Sequence, residues 1–148
     1  MASCCAVGAS STDSDQETIQ RMRTFGEKVG MAFQIKDDLF DYGDDEIGKP
    51  VGIDIKEKKM TLPLIYALSK ADWFEKRRII SLIRNKSDNK KAVNEVIDFV
   101  KKSGGLNYAK GAMYRFYEEA MVILNQFPES EYKTSMAALV DYTIERKK

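Results

Sequence analysis

Histidine is absent from the 148 residues, which excludes Ser-His-Asp and Cys-His catalysis, histidine metal sites and histidine-ligated haem. Any metal site must therefore be built mainly from oxygen. Cysteine is scarce: Cys4 and Cys5 are sequence neighbours, so they supply neither the spaced framework of a small secreted domain nor a CxxC zinc knuckle. A reducing cytoplasm suits them. No apolar run reaches the length of a membrane span, and the apolar start from Met1 to Ala9 lacks the basic n-region and long h-region of a secretory signal. An excess of charge is missing too, with 24 Lys+Arg against 23 Asp+Glu. The composition gives no sign of a nucleic-acid or membrane-surface binder. We expect a cytoplasmic protein without stable membrane insertion.

What is present reads as helix. Hydrophobic residues make up 43% and charged residues 32%, the mixture of one soluble domain or a piece of one. Only 3 prolines interrupt apolar residues that recur mostly at three- and four-residue spacing, so the expectation is an all-α helical bundle of about six helices. Ser10 to Asp15 form a cap-rich stretch between a short apolar start and a long helix running to about Tyr42. Asp44 to Lys59, with Gly48, Pro50 and Gly52, reads as a loop, and long ordered loops are often functional. Thr61 caps the next helix, whose first turn tolerates Pro63. Asp72 and Glu75 resemble a capping box before Ile79, Leu82 and Ile83, whereas Ser87 and Asp88 precede Val93, Val96, Ile97 and Val100. Gly104 and Gly105 stop that helix. Tyr108 to Phe127 and Tyr132 to Thr143 carry the last two core faces, parted at Pro128.

The long helix is contradictory. Met22, Phe25, Val29, Met31, Ala32, Phe33, Ile35, Leu39 and Phe40 spread around most of a helical wheel, as on a helix buried on most sides. Yet Gly26, Gly30, Gln34, Asp37 and Asp41 fall on one stripe with Asp38 beside it. Carboxylates near a helix C-terminus face the negative end of the macrodipole and repel one another. A divalent cation offsets both terms, and Mg²⁺ fits, because it takes hard oxygen ligands and shares them with substrate phosphates. Gly26 and Gly30 would leave open space below the metal for an apolar tail. Lys49, Lys56, Lys58 and Lys59, following the acidic run, suit a diphosphate. The bland alternative is a solvated helix end followed by a polar loop.

The ordered blocks Phe33-Gln34-Ile35-Lys36-Asp37-Asp38-Leu39-Phe40-Asp41-Tyr42, Gly48-Lys49-Pro50-Val51-Gly52-Ile53-Asp54 and Lys59-Met60-Thr61-Leu62-Pro63-Leu64-Ile65 resemble those of the trans-isoprenyl diphosphate synthases, the polyprenyl synthetases. They fall in order within a span of about thirty residues and are far more specific than a lone DDxxD. Weaker similarity extends through Gly104-Gly105-Leu106-Asn107-Tyr108-Ala109 to the final helices. The resemblance implies a bundle of the isoprenoid synthase type, around a cavity with two facing aspartate-rich motifs. By that resemblance Asp37, Asp38 and Asp41 hold Mg²⁺ with Asp54 in or near the outer shell, Lys49 and Lys59 touch the diphosphate, and Gln34 faces the cavity. The implied reaction ionises an allylic diphosphate, joins it to isopentenyl diphosphate and releases a proton. Homodimers are implied for the full enzyme.

Two departures qualify this picture. The first aspartate-rich motif is absent, so residues 1–148 are expected to be the C-terminal half of such a domain, inactive alone. The alternative is a non-catalytic helical subunit derived from such an enzyme. Lys58 stands where many relatives have glycine, which bears on the loop turn. Elsewhere the simpler readings are preferred: Cys4 and Cys5 for close helix packing, Tyr108, Tyr114, Phe116 and Tyr117 for helix contacts, and Lys86, Lys90, Lys91, Lys101 and Lys102 for a solvated face. An EF-hand reading of Asp41 to Asp54 fails because its glycine and terminal glutamate are out of position.

Overall fold

The computed structural model describes residues 1–43 and 51–146. Among the described residues there are eight helices and no strands: α1 (Ala2–Ser10), α2 (Gln16–Phe40), α3 (Ile53–Lys56), α4 (Leu62–Lys70), α5 (Trp73–Asn85), α6 (Lys90–Lys102), α7 (Gly105–Leu124) and α8 (Glu131–Glu145). The all-α expectation holds. Two short elements exceed the six expected helices. α1 covers the short apolar start, where a helix over Ala2 to Ala6 is expected from the small residues there, and α3 is one turn inside the stretch read as a loop. The chain forms two compact units, residues 1–36 with 112–146, and residues 37–111.

In the first unit, Phe25 and Val29 of α2 meet Ala120 and Leu124 of α7 and Val140 of α8 in one apolar cluster. The four-residue spacing puts each pair on one helix face. Asp15 caps α2, its carboxylate accepting from the Thr18 N–H at 2.7 Å; that bond holds the carboxyl below its usual range. Lys133 is buried, and its ammonium donates to the Phe127 carbonyl at 3.0 Å and to Glu129 at 2.5 Å. Together with the Ser130 cap on the Lys133 N–H, this fixes the turn at Pro128.

Two expectations about α2 are corrected here. A Cβ on Gly26 would lie 2.7 Å from Cys5 Sγ and 2.8 Å from the Met1 carbonyl oxygen, and one on Gly30 would meet the Met1 side chain at 3.5 Å. The glycines therefore admit the start of the chain and do not open space for a tail. Cys5 serves close packing, as expected, and burial pushes its thiol pKa up, whereas Cys4 is exposed. Burial is also one-sided: Met31 is 44% exposed, and Phe33 is half-buried beneath the Arg146 guanidinium.

In the second unit α6 is the hub, packing on α3, α4 and α5. Its buried Ala92, Val93, Val96, Ile97, Phe99 and Val100 recur at three- and four-residue spacing, which gives it a broad apolar face. The Asp72 cap on Glu75 forms as expected. The cap of α6 does not: Asn89, rather than Ser87 or Asp88, accepts from the Lys91 and Ala92 N–H groups. Its carboxamide sits directly before the first helical residue, the position whose side chain reaches those donors. Gly104 ends α6 at φ +77°. Gly105 already belongs to α7, where a Cβ would lie 2.5 Å from the Pro63 carbonyl oxygen.

Candidate functional site

Near its end α2 tightens into three-residue hydrogen bonds, with the N–H groups of Asp41, Tyr42 and Gly43 donating to the carbonyls of Asp38, Leu39 and Phe40 at 3.3, 3.2 and 3.3 Å. Such tightening satisfies carbonyls that an α-helix end leaves over. Gly43, at φ +72°, turns the chain away. Asp37 and Asp38 are half-buried in the last turn, and Asp41 is only 8% exposed.

Asp41 is the fixed point of the site. The Gly52 N–H donates to its main-chain carbonyl at 2.8 Å. The N–H groups of Ile53 and Asp54 donate to its two carboxylate oxygens at 2.7 and 3.0 Å. One aspartate thus receives three successive backbone donors, and its side chain caps α3. The charge-assisted bonds are the stronger kind. Whatever path residues 44–50 take, the chain returns to the aspartate motif.

The end of α3 places the next cation. The Lys59 N–H donates to the Asp54 carbonyl at 2.8 Å, and the Lys58 N–H to the Ile55 carbonyl at 3.0 Å. That pair of bonds is a Schellman motif, whose pivot residue adopts the left-handed conformation that favours glycine. The pivot here is Lys58, at φ +60°. The departure noted in the sequence therefore falls on a backbone position where glycine has a physical advantage. Lys58→Gly is expected to stabilise the protein by about 1 kcal/mol, by removing the Cβ clash of a left-handed L-residue. A rise in the urea midpoint measures this; an unchanged or lower midpoint contradicts it.

Beyond the pivot, the Lys59 ammonium lies 2.6 Å from Glu57 and 3.1 Å from Asp54. The hydrogen bonds it donates to Glu57 first and Asp54 second push its pKa up, so Lys59 stays cationic. Tyr42, almost fully buried, shares a 2.5 Å hydrogen bond with the Thr61 hydroxyl. Thr61 is the N-cap residue of α4, as expected, but its side chain makes no cap bond. Burial pushes the Tyr42 phenol up, keeping it neutral as a hydrogen-bonding anchor.

Of the expected site residues, Asp37, Asp38, Asp41, Asp54 and Lys59 all fall within the second unit, and Asp41 with Asp54 and Asp54 with Lys59 are in direct contact. Gln34 is exposed on α2, and Lys49 lies outside the described residues. Among the described residues no three His, Cys, Asp or Glu side chains converge on one cation position. The donor set is nonetheless all hard oxygen. It fits Mg²⁺ in the manner typical of that ion, with one or two carboxylates and the rest supplied by water and phosphate oxygens. Sequence reading missed the Tyr42–Thr61 bond and the capping role of Asp41. Pairings across 19 and 12 residues leave no periodic signal.

The family model for polyprenyl synthetase matches residues 1–100. A short chain isoprenyl diphosphate synthase from Methanothermobacter thermautotrophicus is 33% identical over 99% of this chain and 45% of its own. Among solved structures, a geranylgeranyl pyrophosphate synthase from Bacteroides thetaiotaomicron is similar with a TM-score of 0.88 and 33% identity, over 98% of this chain and 48% of that one. A geranylgeranyl pyrophosphate synthase from Corynebacterium glutamicum, complexed with calcium and isoprenyl diphosphate, gives a TM-score of 0.82 and 32% identity over 97% and 45%. The chain spans about half the length of the relatives it matches. No helix among the described residues is long and apolar enough to cross a membrane.

Proposed function

The chain belongs to the polyprenyl synthetase family, and from that membership we propose that it forms the C-terminal half of a cytoplasmic, homo-oligomeric trans-prenyltransferase. In this reading the whole enzyme joins isopentenyl diphosphate to an allylic diphosphate. Asp37, Asp38, Asp41 and Asp54 hold Mg²⁺, Lys49 and Lys59 contact the diphosphate, and Gln34 faces the substrate cavity. The observation that carries the reading is the return of the chain to Asp41, which keeps Asp54 and Lys59 beside the aspartate motif. Bound there, Mg²⁺ would neutralise charge on the departing diphosphate.

The chain's own residues supply the rest. Lys59, kept protonated by Glu57 and Asp54, offers a cation to diphosphate oxygens, and can exchange its carboxylate partners for phosphate because 60% of its side chain is open to solvent. Asp41, held by three backbone donors, needs no rearrangement as charge develops, and such preorganisation is what makes electrostatic stabilisation effective. When the allylic C–O bond breaks, its electron pair leaves with the diphosphate. The double bond of isopentenyl diphosphate then forms the new C–C bond, and a proton is lost.

The test is transfer of labelled isopentenyl diphosphate into a longer product by the whole protein that carries these residues. Incorporation is expected with Mg²⁺ and abolished by chelation, whereas the 148-residue chain alone is expected to elongate nothing. A folded whole protein that leaves both diphosphates unchanged would favour a non-catalytic helical subunit and overturn the reading. Elongation by residues 1–148 alone would overturn their assignment as half a site.

A further inference from the structure

The chain is close to neutral as a whole, but α5 is not. Lys76, Arg77, Arg78 and Arg84, with Lys86 at its C-cap, stand against Glu75 and the N-cap Asp72. α5 buries Ile79 and Ile83, and a wheel set on Ile79 brings Trp73, Phe74, Arg77, Ser81 and Arg84 together on the opposite side. All five lie outside the buried core.

Trp73 and Phe74 leave 60% and 78% of their surface in solvent, an unfavourable placement for two large rings. They meet edge to face at 4.9 Å, and the Arg77 guanidinium lies 4.7 Å from the centre of the Trp73 ring. Glu95 pairs with Arg78, and Glu75 falls on the Ile79 side of the wheel. Arg77 and Arg84 thus outnumber the one acid beside the rings, the capping Asp72. Rings at right angles make a wedge, unlike the platform on which successive nucleic-acid bases stack. Tryptophan and long cationic side chains are at home at the headgroup level of a bilayer, and an anionic leaflet attracts each cation.

We propose that this face of α5 docks on an anionic phospholipid surface, with Trp73 and Phe74 entering the headgroup layer and Arg77 and Arg84 meeting lipid phosphates. The helix lies on the surface without crossing it. The inference goes beyond the prenyltransferase reading and does not rest on it.

Trp73 is the only tryptophan in the chain, so its emission reports on this face alone. With phosphatidylcholine vesicles containing phosphatidylglycerol, a blue shift and co-sedimentation are expected, both reversed by high salt. Pure phosphatidylcholine vesicles should give neither. Arg77→Ala and Arg84→Ala should each weaken binding about fivefold. Phe74→Ser should weaken it about tenfold or more with an unchanged circular dichroism spectrum, since the ring is exposed. No shift with phosphatidylglycerol vesicles overturns the proposal, and so does an equal shift with phosphatidylcholine alone. A shift that follows protein concentration without vesicles overturns it in favour of self-association. A shift with a single-stranded oligonucleotide but not with vesicles overturns it in favour of nucleic acid.

Discussion

Asp41→Ala is expected to destabilise the protein by about 2–4 kcal/mol, because two charge-assisted hydrogen bonds disappear and the Ile53 and Asp54 N–H groups lose their acceptors. Water can replace part of this at the exposed Ile53, which sets the lower end of the range. The functional loss should be larger than stability alone explains. α3 is a single turn, and both Asp54 and the Lys59 contact depend on where that turn sits. In the proposed whole enzyme, measured well below the variant's unfolding temperature, product formation is expected to fall about a hundredfold or more. Asp41→Asn separates the contributions. Its carbonyl oxygen can still accept from Ile53, but its amide would face the Asp54 N–H donor against donor. About half the stability loss should remain. A variant with wild-type urea midpoint and wild-type turnover at this position would show that Asp41 neither caps α3 nor serves the site.

The second large effect is expected one residue before α3. Gly52 has φ +80°, a conformation costing an L-residue about 1–2 kcal/mol. A Cβ there would also fall inside the contact surface of Val93 Cγ1 on α6, and overpacking of this kind costs about 1–3 kcal/mol. Gly52→Ala should therefore lose about 3 kcal/mol in urea unfolding. Combining it with Val93→Ala tests the cause. The clash should vanish while the backbone strain remains, so the substitution should cost about 1–2 kcal/mol in the Val93→Ala background. An equal cost in both backgrounds would rule out the Val93 contact as the source. By contrast, Gly104 shares the left-handed backbone, but a Cβ added there would meet nothing within 4 Å, so only the strain should appear.

The elements read most directly from the residues are those whose signals are local. Asp72 with Glu75 announced the start of α5, and Thr61 with Pro63 the start of α4, because the residues that cap a helix lie within one turn of it. The aspartate motif was legible for a related reason: its spacing puts Asp37 and Asp41 about one helical turn apart, whatever surrounds the helix. The reading of Gly26 and Gly30 as open space failed because a single helix wheel identifies a small-residue stripe without identifying what fills it. Cys5 and Met1 fill it. α3 was missed because four residues are too few to show a period.

The sequence by itself determined the helical class, the mainly oxygen chemistry of any metal site and the family resemblance, since composition and short-range order need no folded neighbour. The tertiary structure alone decided that Asp41 receives the chain at Gly52, Ile53 and Asp54, that Lys58 occupies a left-handed pivot, and that Arg77 gathers with Trp73 on an outer face. These depend on which backbone donors, φ angles and solvent-facing sides the packed units impose. A nearly neutral net charge averages away a cationic helix face, and hydrogen bonds that close a loop join residues whose separation follows no helical period.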